Sequence, residues 1–599
     1  MEINRRLLPW IQAKLGSRWM PYFTVTLALI LVLPALGAGW YLDDYIQRYF
    51  LEARHFEGRE GVSLDVFRFI EGDPEQTREW MDVGVCPWWT SSEFKIGFWR
   101  PLTVLTHWLD YQLWPSSAVL MHLQSILWFG ALVLVVGLFY RRIMGLVWVA
   151  GLAALLYAID DAHGTAIGWV ANRNTLIATL LGVISLVAHD RWRRDGWRVG
   201  AFLAPLVFLA SLLAKESAIA TGAYLLSYAV FVDRDSRTNR LLSLIPYTVI
   251  ALTWRVVWAQ LGYGAAGTDF YADPLVEPVR YIGLLFIRSP ILLFGQWTGI
   301  PSESFMFLKN EAMWIMLCMA VVVVVILATL LMPCLRRDRV ARFWGLGMLL
   351  SLLPAAATVS SDRLLFFVGL GAMGLLARFY YMLTSGVSTQ PRGGVWLAWA
   401  RTALVLMTLI HLVVPLVALP VRARFPLGSE DLLNRQLIRN EFDPSVEHQD
   451  LIIPNVPSSW IASYYWIMRR TSGQPVPHRL RVLSSGLSAV NIHRTDERTL
   501  VLKPDEGFLS EPLDGLARSS SSPMAVGETV ELTDMTVEVL ALTDDGRPAE
   551  VRFQFAIPLE DPSLLWLQYG DGEYVPFGLP VVGEHIRLPA IPAPFSILE

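Results

Sequence analysis

Charge is scarce in this chain. Only 17% of its 599 residues are Asp, Glu, Lys or Arg, against about a quarter in ordinary soluble domains. A disordered chain and an ordinary cytosolic enzyme are thereby excluded. The charges that remain nearly cancel, 49 Lys and Arg against 53 Asp and Glu for a net −4. No basic field is left to hold nucleic acid by releasing its counterions, so no nucleic-acid partner is expected. Cysteine is scarcer still. Cys86, Cys318 and Cys334 are too few and too scattered for a disulfide framework or a Cys-based zinc site. Two of them lie in or beside an apolar run and read as small buried hydrophobes. Heptads, repeat arrays and low-complexity tracts are missing, and the serine run Ser519 to Ser522 is a short loop.

What the chain has in abundance is apolar surface: 54% hydrophobic residues and a mean hydropathy of +0.43. Its 24 Trp, 28 Phe and 19 Tyr suit the aromatic belts of a bilayer protein, although an aromatic-rich sugar site would look similar. Runs long enough to cross about 30 Å of hydrocarbon at 1.5 Å per residue fall at 21–40, 119–140, 143–158, 174–189, 199–213, 217–232, 241–260, 311–334, 343–359, 363–384 and 396–420. They then stop. The fold expected is an α-helical polytopic membrane domain over 1–420, with about eleven transmembrane helices, and a soluble β-rich domain over 421–599.

Sidedness follows from the arginines, which collect in short cytoplasmic loops. Arg5, Arg6, Lys14 and Arg18 put the N-terminus inside. Arg141 with Arg142, Arg191 to Arg198, and Arg234 to Arg240 each follow an even number of crossings. The cluster Arg336 to Arg342 stays inside only if a further apolar stretch, 281–298, does not cross. Arg288 and Pro290 lie within that stretch, so it reads as interfacial or re-entrant on the outer side. The tail is then extracytoplasmic. A signal peptide over 1–40 is the alternative, with Ala35, Gly37, Ala38 and Gly39 near its end, but the apolar stretch exceeds the usual h-region and favours an uncleaved first helix.

From about residue 421 apolar residues begin to alternate with polar ones. Residues 536–543, the turn Asp544-Asp-Gly546 and residues 549–555 read as strand, turn, strand. Asp571-Gly572 and Gly583-Glu584 punctuate further strands of a small sandwich or barrel, and 428–470 reads as mixed.

Candidate chemistry begins where the first span ends, at Trp40-Tyr41-Leu42-Asp43-Asp44-Tyr45. Two adjacent carboxylates there either end the helix in solvated headgroups or face a water-filled cleft, one accepting a proton while the other positions it or a cation. Phe98-Trp99-Arg100-Pro101-Leu102-Thr103 follows, with Asp110 downstream and His122 opening the next span. Then come Asp161-Ala-His163 through Arg173, Leu213-Ala214-Lys215-Glu216, and Ser361-Asp362-Arg363. In this order, on one side, these motifs resemble the GT-C membrane glycosyltransferases. The similarity is to the transmembrane and tetratricopeptide-repeat O-mannosyltransferases and their bacterial relatives, and it covers residues 20–420.

The resemblance implies an inverting enzyme that takes a sugar from a polyprenyl-phosphate donor and passes it to an acceptor hydroxyl outside a membrane, by analogy a bacterial inner membrane. Its partners would be membrane lipid, the lipid-linked donor and a glycan, lipid or protein acceptor. Asp43 is the expected base with Asp44 beside it. Arg100, Arg173, Lys215 and Arg363 are the expected phosphate contacts, because a lipid phosphate leaving group develops negative charge. Asp110, His122, His163 and Glu216 support them. Each cation has a plainer reading: Arg100 caps a loop, Arg173 and Arg363 pair with Asp161 and Asp362 or snorkel, and Lys215-Glu216 neutralise one another. His107, His122 and His163 show no metal-ligand spacing with a carboxylate. No cofactor is certain, though Asp43 and Asp44 leave room for a divalent cation. The tail lacks the 34-residue helical repeat of the eukaryotic members, so protein O-mannosylation is not carried over. A transporter or lipid flippase would place charges at the bundle midplane or show inverted repeats, and neither is evident. A catalytically inactive scaffold presenting the β domain is the third class.

Overall fold

The computed structural model describes residues 7–52, 65–308, 310–384, 394–425, 442–570 and 573–591. Arg5, Arg6, the 428–441 part of the segment read as mixed, and the Asp571-Gly572 turn lie outside the described residues. The chain packs as two units. The first holds Met1–Tyr41, Phe98–Gly262 and Asp273–Gly428; the second holds Leu42–Gly97, Tyr263–Ala272 and Ser429–Glu599.

The first unit is a helical bundle. Among the described residues eight helices are long and apolar enough to cross a membrane: Met20–Gly37, Ala118–Met144, Val170–Asp195, Arg237–Gln260, Pro278–Thr298, Glu311–Arg337, Phe366–Thr384 and Gly394–Arg424. Shorter apolar helices, Val147–Ala158 and Gly200–Ala214, and the helices Ala220–Phe231 and Arg339–Ala355 occupy the remaining expected spans. The chain is a multi-pass helical membrane protein. Val170–Asp195 is buried over 83% of its apolar stretch and Glu311–Arg337 over only 22%. The former is therefore central and the latter keeps an apolar surface for lipid.

One end of this bundle gathers the basic loops. Arg142 pairs with Asp190 and with Asp195, the latter at 2.8 Å. Arg193 pairs with Asp233 and Asp235 at 2.8 and 2.9 Å. Arg378 pairs with Asp338 and donates to the Met144 carbonyl at 3.3 Å. That last contact places the Arg336 to Arg342 cluster at the end occupied by Arg141 and Arg142. Helix Arg339–Ala355 starts there, so its C-terminus lies at the opposite end.

Pro278–Thr298 stays at that opposite end. The Tyr281 hydroxyl donates to the Leu353 carbonyl at 2.8 Å and Arg288 to the Ala356 carbonyl at 3.1 Å. Gln296 donates to Asp160, in the loop after Val147–Ala158, at 2.8 Å. Residues spread along its length thus bond to helix ends at one end of the bundle. By length and apolarity alone it would cross.

The second unit is built on sheets. β1 (Arg68–Glu71), β2 (Lys95–Gly97) and β3 (Gly264–Ala266) form an antiparallel sheet in that order. In the tail, β4 is Asp450–Ile453, β5 Arg479–Val482, β6 Val490–Asp496, β7 Thr499–Pro504, β8 Thr529–Leu532, β9 Met535–Leu542, β10 Pro548–Phe555, β11 Leu564–Gly570, β12 Glu573–Pro576 and β13 His585–Leu588. They make a six-stranded sheet, β13-β6-β7-β10-β9-β8, and a four-stranded one, β12-β11-β4-β5. The expected hairpin is β9 to β10, with Phe553 opposite Val537. Val537, Val539, Val551 and Phe553 are buried, as the alternation requires. The four-stranded sheet is mixed, since β4 runs parallel to both β5 and β11. Trp566 of β11 meets Phe555 of β10 with ring centroids 5.6 Å apart, joining the two sheets.

The first loop belongs to this unit. Asp82 accepts from Arg481 at 3.1 Å and from the Thr533 amide at 2.7 Å, and the Trp88 indole donates to the Leu483 carbonyl at 3.0 Å. Asp269 likewise accepts from Ser519 and the Ser520 amide, at 2.7 and 2.9 Å. The serine run is thus the place where the tail grips the 263–272 loop.

Candidate functional site

Three of the four expected cations converge in the first unit. Arg100 precedes the helix Pro101–Leu113 and donates from Nε and Nη2 to Glu216 Oε2 at 3.0 and 2.9 Å. Its guanidinium carbon lies 4.4 Å from the Phe98 ring centroid. Lys215 adopts an extended conformation that ends Gly200–Ala214. Its ammonium donates to Thr175 Oγ1 at 2.5 Å. Thr103 ties this corner together by donating to the Ala214 carbonyl at 2.9 Å. Arg363 sits over the Trp169 ring at 5.2 Å, and among the described residues no carboxylate pairs with it. Burial and then the charges of Arg100 and Arg363 push the Lys215 ammonium well below the ordinary lysine value, with Glu216 opposing them. Lys215 and Glu216 therefore do not simply cancel: Glu216 is engaged by Arg100.

Arg173 is elsewhere. It is fully buried and pairs with Asp110, which is equally buried. Nε donates to Ser125 Oγ at 3.0 Å and Nη2 to the Met121 carbonyl at 2.7 Å. Asp110 also accepts from the Trp114 indole at 3.0 Å. Through these contacts Arg173 staples helices Pro101–Leu113 and Ala118–Met144 to Val170–Asp195. Its partner is Asp110 and not Asp161. His122 Nε2 donates to the Gly39 carbonyl at 2.7 Å, tying the start of its helix to the end of the first. His163 is wedged against Phe366, Tyr157 and Phe129. Burial, then Arg422, lowers its pKa to about 3, so it is neutral at physiological pH.

A second polar node in this unit went unread in the sequence. Arg422, in the last turn of the final span, pairs with Asp161 at 3.0 Å and Asp362 at 2.7 Å, with Glu303 at 3.8 Å. Asp362 Oδ1 accepts from the Ser302 hydroxyl and amide at 2.6 and 2.9 Å. Glu303 accepts from the Ser361 hydroxyl at 2.6 Å. Burial and then the charge of Asp161 raise Asp160 to about 7. The glycines of the Asp161 motif let Arg422 come this close: a Cβ on Gly164 would stand 2.6 Å from the Arg422 Cβ, and one on Gly168 2.2 Å from the Ala423 oxygen.

In the second unit, Asp43 and Asp44 open the helix Asp43–Glu52. Leu42 before them has φ +39°, a strained value for a residue other than glycine of the kind that clusters at functional turns. Asp44 is buried and Asp43 partly so. Asp43 Oδ1 accepts from the Tyr464 hydroxyl at 2.8 Å. Around this tyrosine the tail is aromatic: Tyr464 and Tyr465 are buried, Trp460 packs edge-on against Tyr464, and Trp466 packs edge-on against Tyr49. Among the described residues no group of three or more His, Cys, Asp or Glu is placed to hold a metal ion.

No family model matches the chain. The chain is 33% identical over 207 residues to the protein O-mannosyl-transferase Tmtc2 of Drosophila melanogaster, a third of this chain and 20% of that protein. It is 25% identical over 143 residues to a Caenorhabditis elegans protein O-mannosyl-transferase, 23% of this chain and 20% of that one. The chain thus spans about a fifth of the length of these curated relatives. Among solved structures, an Archaeoglobus fulgidus oligosaccharyltransferase is 12% identical, covering 79% of this chain and 66% of its own at a TM-score of 0.43. ArnT from Cupriavidus metallidurans is 13% identical, covering 76% and 84% at a TM-score of 0.39. Over the stretches matched in sequence, the chain is similar to the protein O-mannosyl-transferases, the group of membrane glycosyltransferases that its motifs resemble.

Proposed function

We propose that this protein transfers a sugar from a polyprenyl-phosphate donor to an acceptor hydroxyl on the extracytoplasmic side of a membrane. The observation that carries this reading is the convergence of Arg100, Lys215 and Arg363 on one corner, where burial and the two guanidinium charges act together on the Lys215 ammonium. Such a corner is stabilised by an anion, and a phosphate supplies one where charge grows as the donor bond breaks. Glu216 holds Arg100 in its aim. The acceptor oxygen bonds to the anomeric carbon as the bond from that carbon to the phosphate oxygen breaks, inverting the centre. The acceptor proton passes to Asp43, and polyprenyl phosphate leaves with the electron pair. Asp44 orients its neighbour.

Sidedness rests on two features. The basic loops cluster at one bundle end, as expected of the cytoplasmic face. Residues 42–97, 263–272 and the tail form one packed unit, so they share one side of the membrane, the extracytoplasmic one.

The test is binding of polyprenyl phosphate against the uncharged polyprenol. The phosphate should bind more tightly, and Arg100→Gln and Arg363→Gln should each weaken it by about 10- to 100-fold, since a charge-assisted hydrogen bond contributes about 1.5–3 kcal/mol. Affinity should also fall as pH rises. Lys215 has a lowered pKa without ligand and regains its proton beside the anion, so binding takes up a proton. Equal binding of phosphate and polyprenol would remove the reading.

A further inference from the structure

We propose that Tyr464, contributed by the tail, is a positioning residue for Asp43; this rests on the reading of Asp43 as the base. The phenol donates to Asp43 Oδ1 at 2.8 Å, across 421 residues of sequence, and both groups belong to the second unit.

The tyrosine is held from several directions. It is buried at 3% exposure and sits between the short helices Ser459–Ser463 and Tyr465–Thr471. Trp460 packs against its ring at 5.4 Å between centroids. Its carbonyl accepts from the Met468 amide at 2.9 Å. Ser459, at the start of the first helix, donates to Asp514 at 2.9 Å, which fixes that helix to the rest of the tail. Two turns from Asp43, Tyr49 meets Trp466 edge-on at 5.9 Å, so the helix carrying the aspartates and the helix following Tyr464 are in register with one another.

A rigid phenol that donates to one carboxylate oxygen does two things. It selects a single rotamer of the aspartate, so the proton of an acceptor hydroxyl is met by a carboxylate of fixed direction. It also favours the ionised form, which is the form a base needs. The β module therefore acts on the chemistry through one hydroxyl, in addition to any part in selecting the acceptor.

The experiment uses the full-length chain with the polyprenyl-phosphate hexose that gives the highest turnover in a panel, and water as acceptor, so that no acceptor need be known. Tyr464→Phe removes only the hydroxyl. It should lower kcat about tenfold with KM for the donor unchanged, and move the acid limb of the pH–rate profile up by about one pH unit. Site-specific 3-fluorotyrosine at 464, a stronger donor, should move that limb the other way. An unchanged kcat and profile in Tyr464→Phe overturns the proposal, and so does loss of donor binding along with activity, which would make the residue structural. Asp43→Asn serves as the reference: full activity in that variant means the base assignment itself has failed, whatever Tyr464 does.

Discussion

Arg173 offers the sharpest separation of a structural from a catalytic charge. Its guanidinium is fully buried, pairs with the buried Asp110 and donates to Ser125 and the Met121 carbonyl. Arg173→Gln leaves the Asp110 carboxylate without its countercharge, and Asp110→Asn leaves the guanidinium in the same position. Breaking one side of such a pair costs about 3–5 kcal/mol, because the surviving charge keeps its desolvation penalty and loses its attraction. At a few degrees per kcal/mol, each variant should lower the thermal midpoint of the detergent-solubilised protein by roughly 5–15 °C. The double variant should lower it by less than the sum, since the second change removes the charge that the first stranded. Polyprenyl-phosphate affinity measured well below the midpoint should change little. An unaltered midpoint together with a tenfold or greater loss of donor affinity in Arg173→Gln would refute this reasoning and return Arg173 to the phosphate.

Two further outcomes follow from the same geometry. Single cysteines substituted near Asp269 and in the Arg336 to Arg342 loop should label from opposite faces of the membrane, because Asp269 is gripped by the tail while Asp338 is tied to Arg378 at the basic end; labelling from one face would mean that Pro278–Thr298 crosses. Asp160, raised to about 7 by burial and Asp161, keeps a proton in the folded chain that an unfolded chain loses near pH 4, so its contribution to stability is full below about pH 4 and lost as pH rises to about 7; Asp160→Asn should flatten this fall in the thermal midpoint between pH 5 and 8, and an unchanged slope would assign the titration elsewhere.

The spans were legible because a run of about twenty apolar residues has few alternatives to crossing a bilayer. The β9–β10 hairpin was legible because Asp544-Asp-Gly546 lies between two alternating segments. The arginine clusters anticipated which loops share an end, and the bond from Arg378 to the Met144 carbonyl shows the Asp338 loop beside the Arg141–Arg142 loop. Ion-pair partners were not legible. Arg173 and Asp110 are 63 residues apart on different helices, and nothing local separates Asp110 from Asp161 as a partner. Arg422 lies just past the last expected span, and its three carboxylates come from loops that meet only in the folded bundle. A linear division at 420 could not show that residues 42–97 and 263–272 pack with the tail, since that depends on side chains such as Asp82 and Ser519 finding each other across hundreds of residues. Tyr464 carried no signal beyond its aromatic neighbours.

Turnover by Asp43→Asn bears most directly on whether this chain is a polyprenyl-phosphate-dependent glycosyltransferase with an aspartate base. With the donor that the wild-type protein turns over fastest, release of polyprenyl phosphate should fall by a factor of about 10² to 10⁴ in Asp43→Asn. Polyprenyl-phosphate affinity and thermal midpoint should stay at wild-type values, because the amide keeps the shape and loses only the base; Asp44→Asn should be milder. Release at the wild-type rate from a folded, donor-binding Asp43→Asn protein would contradict the assignment.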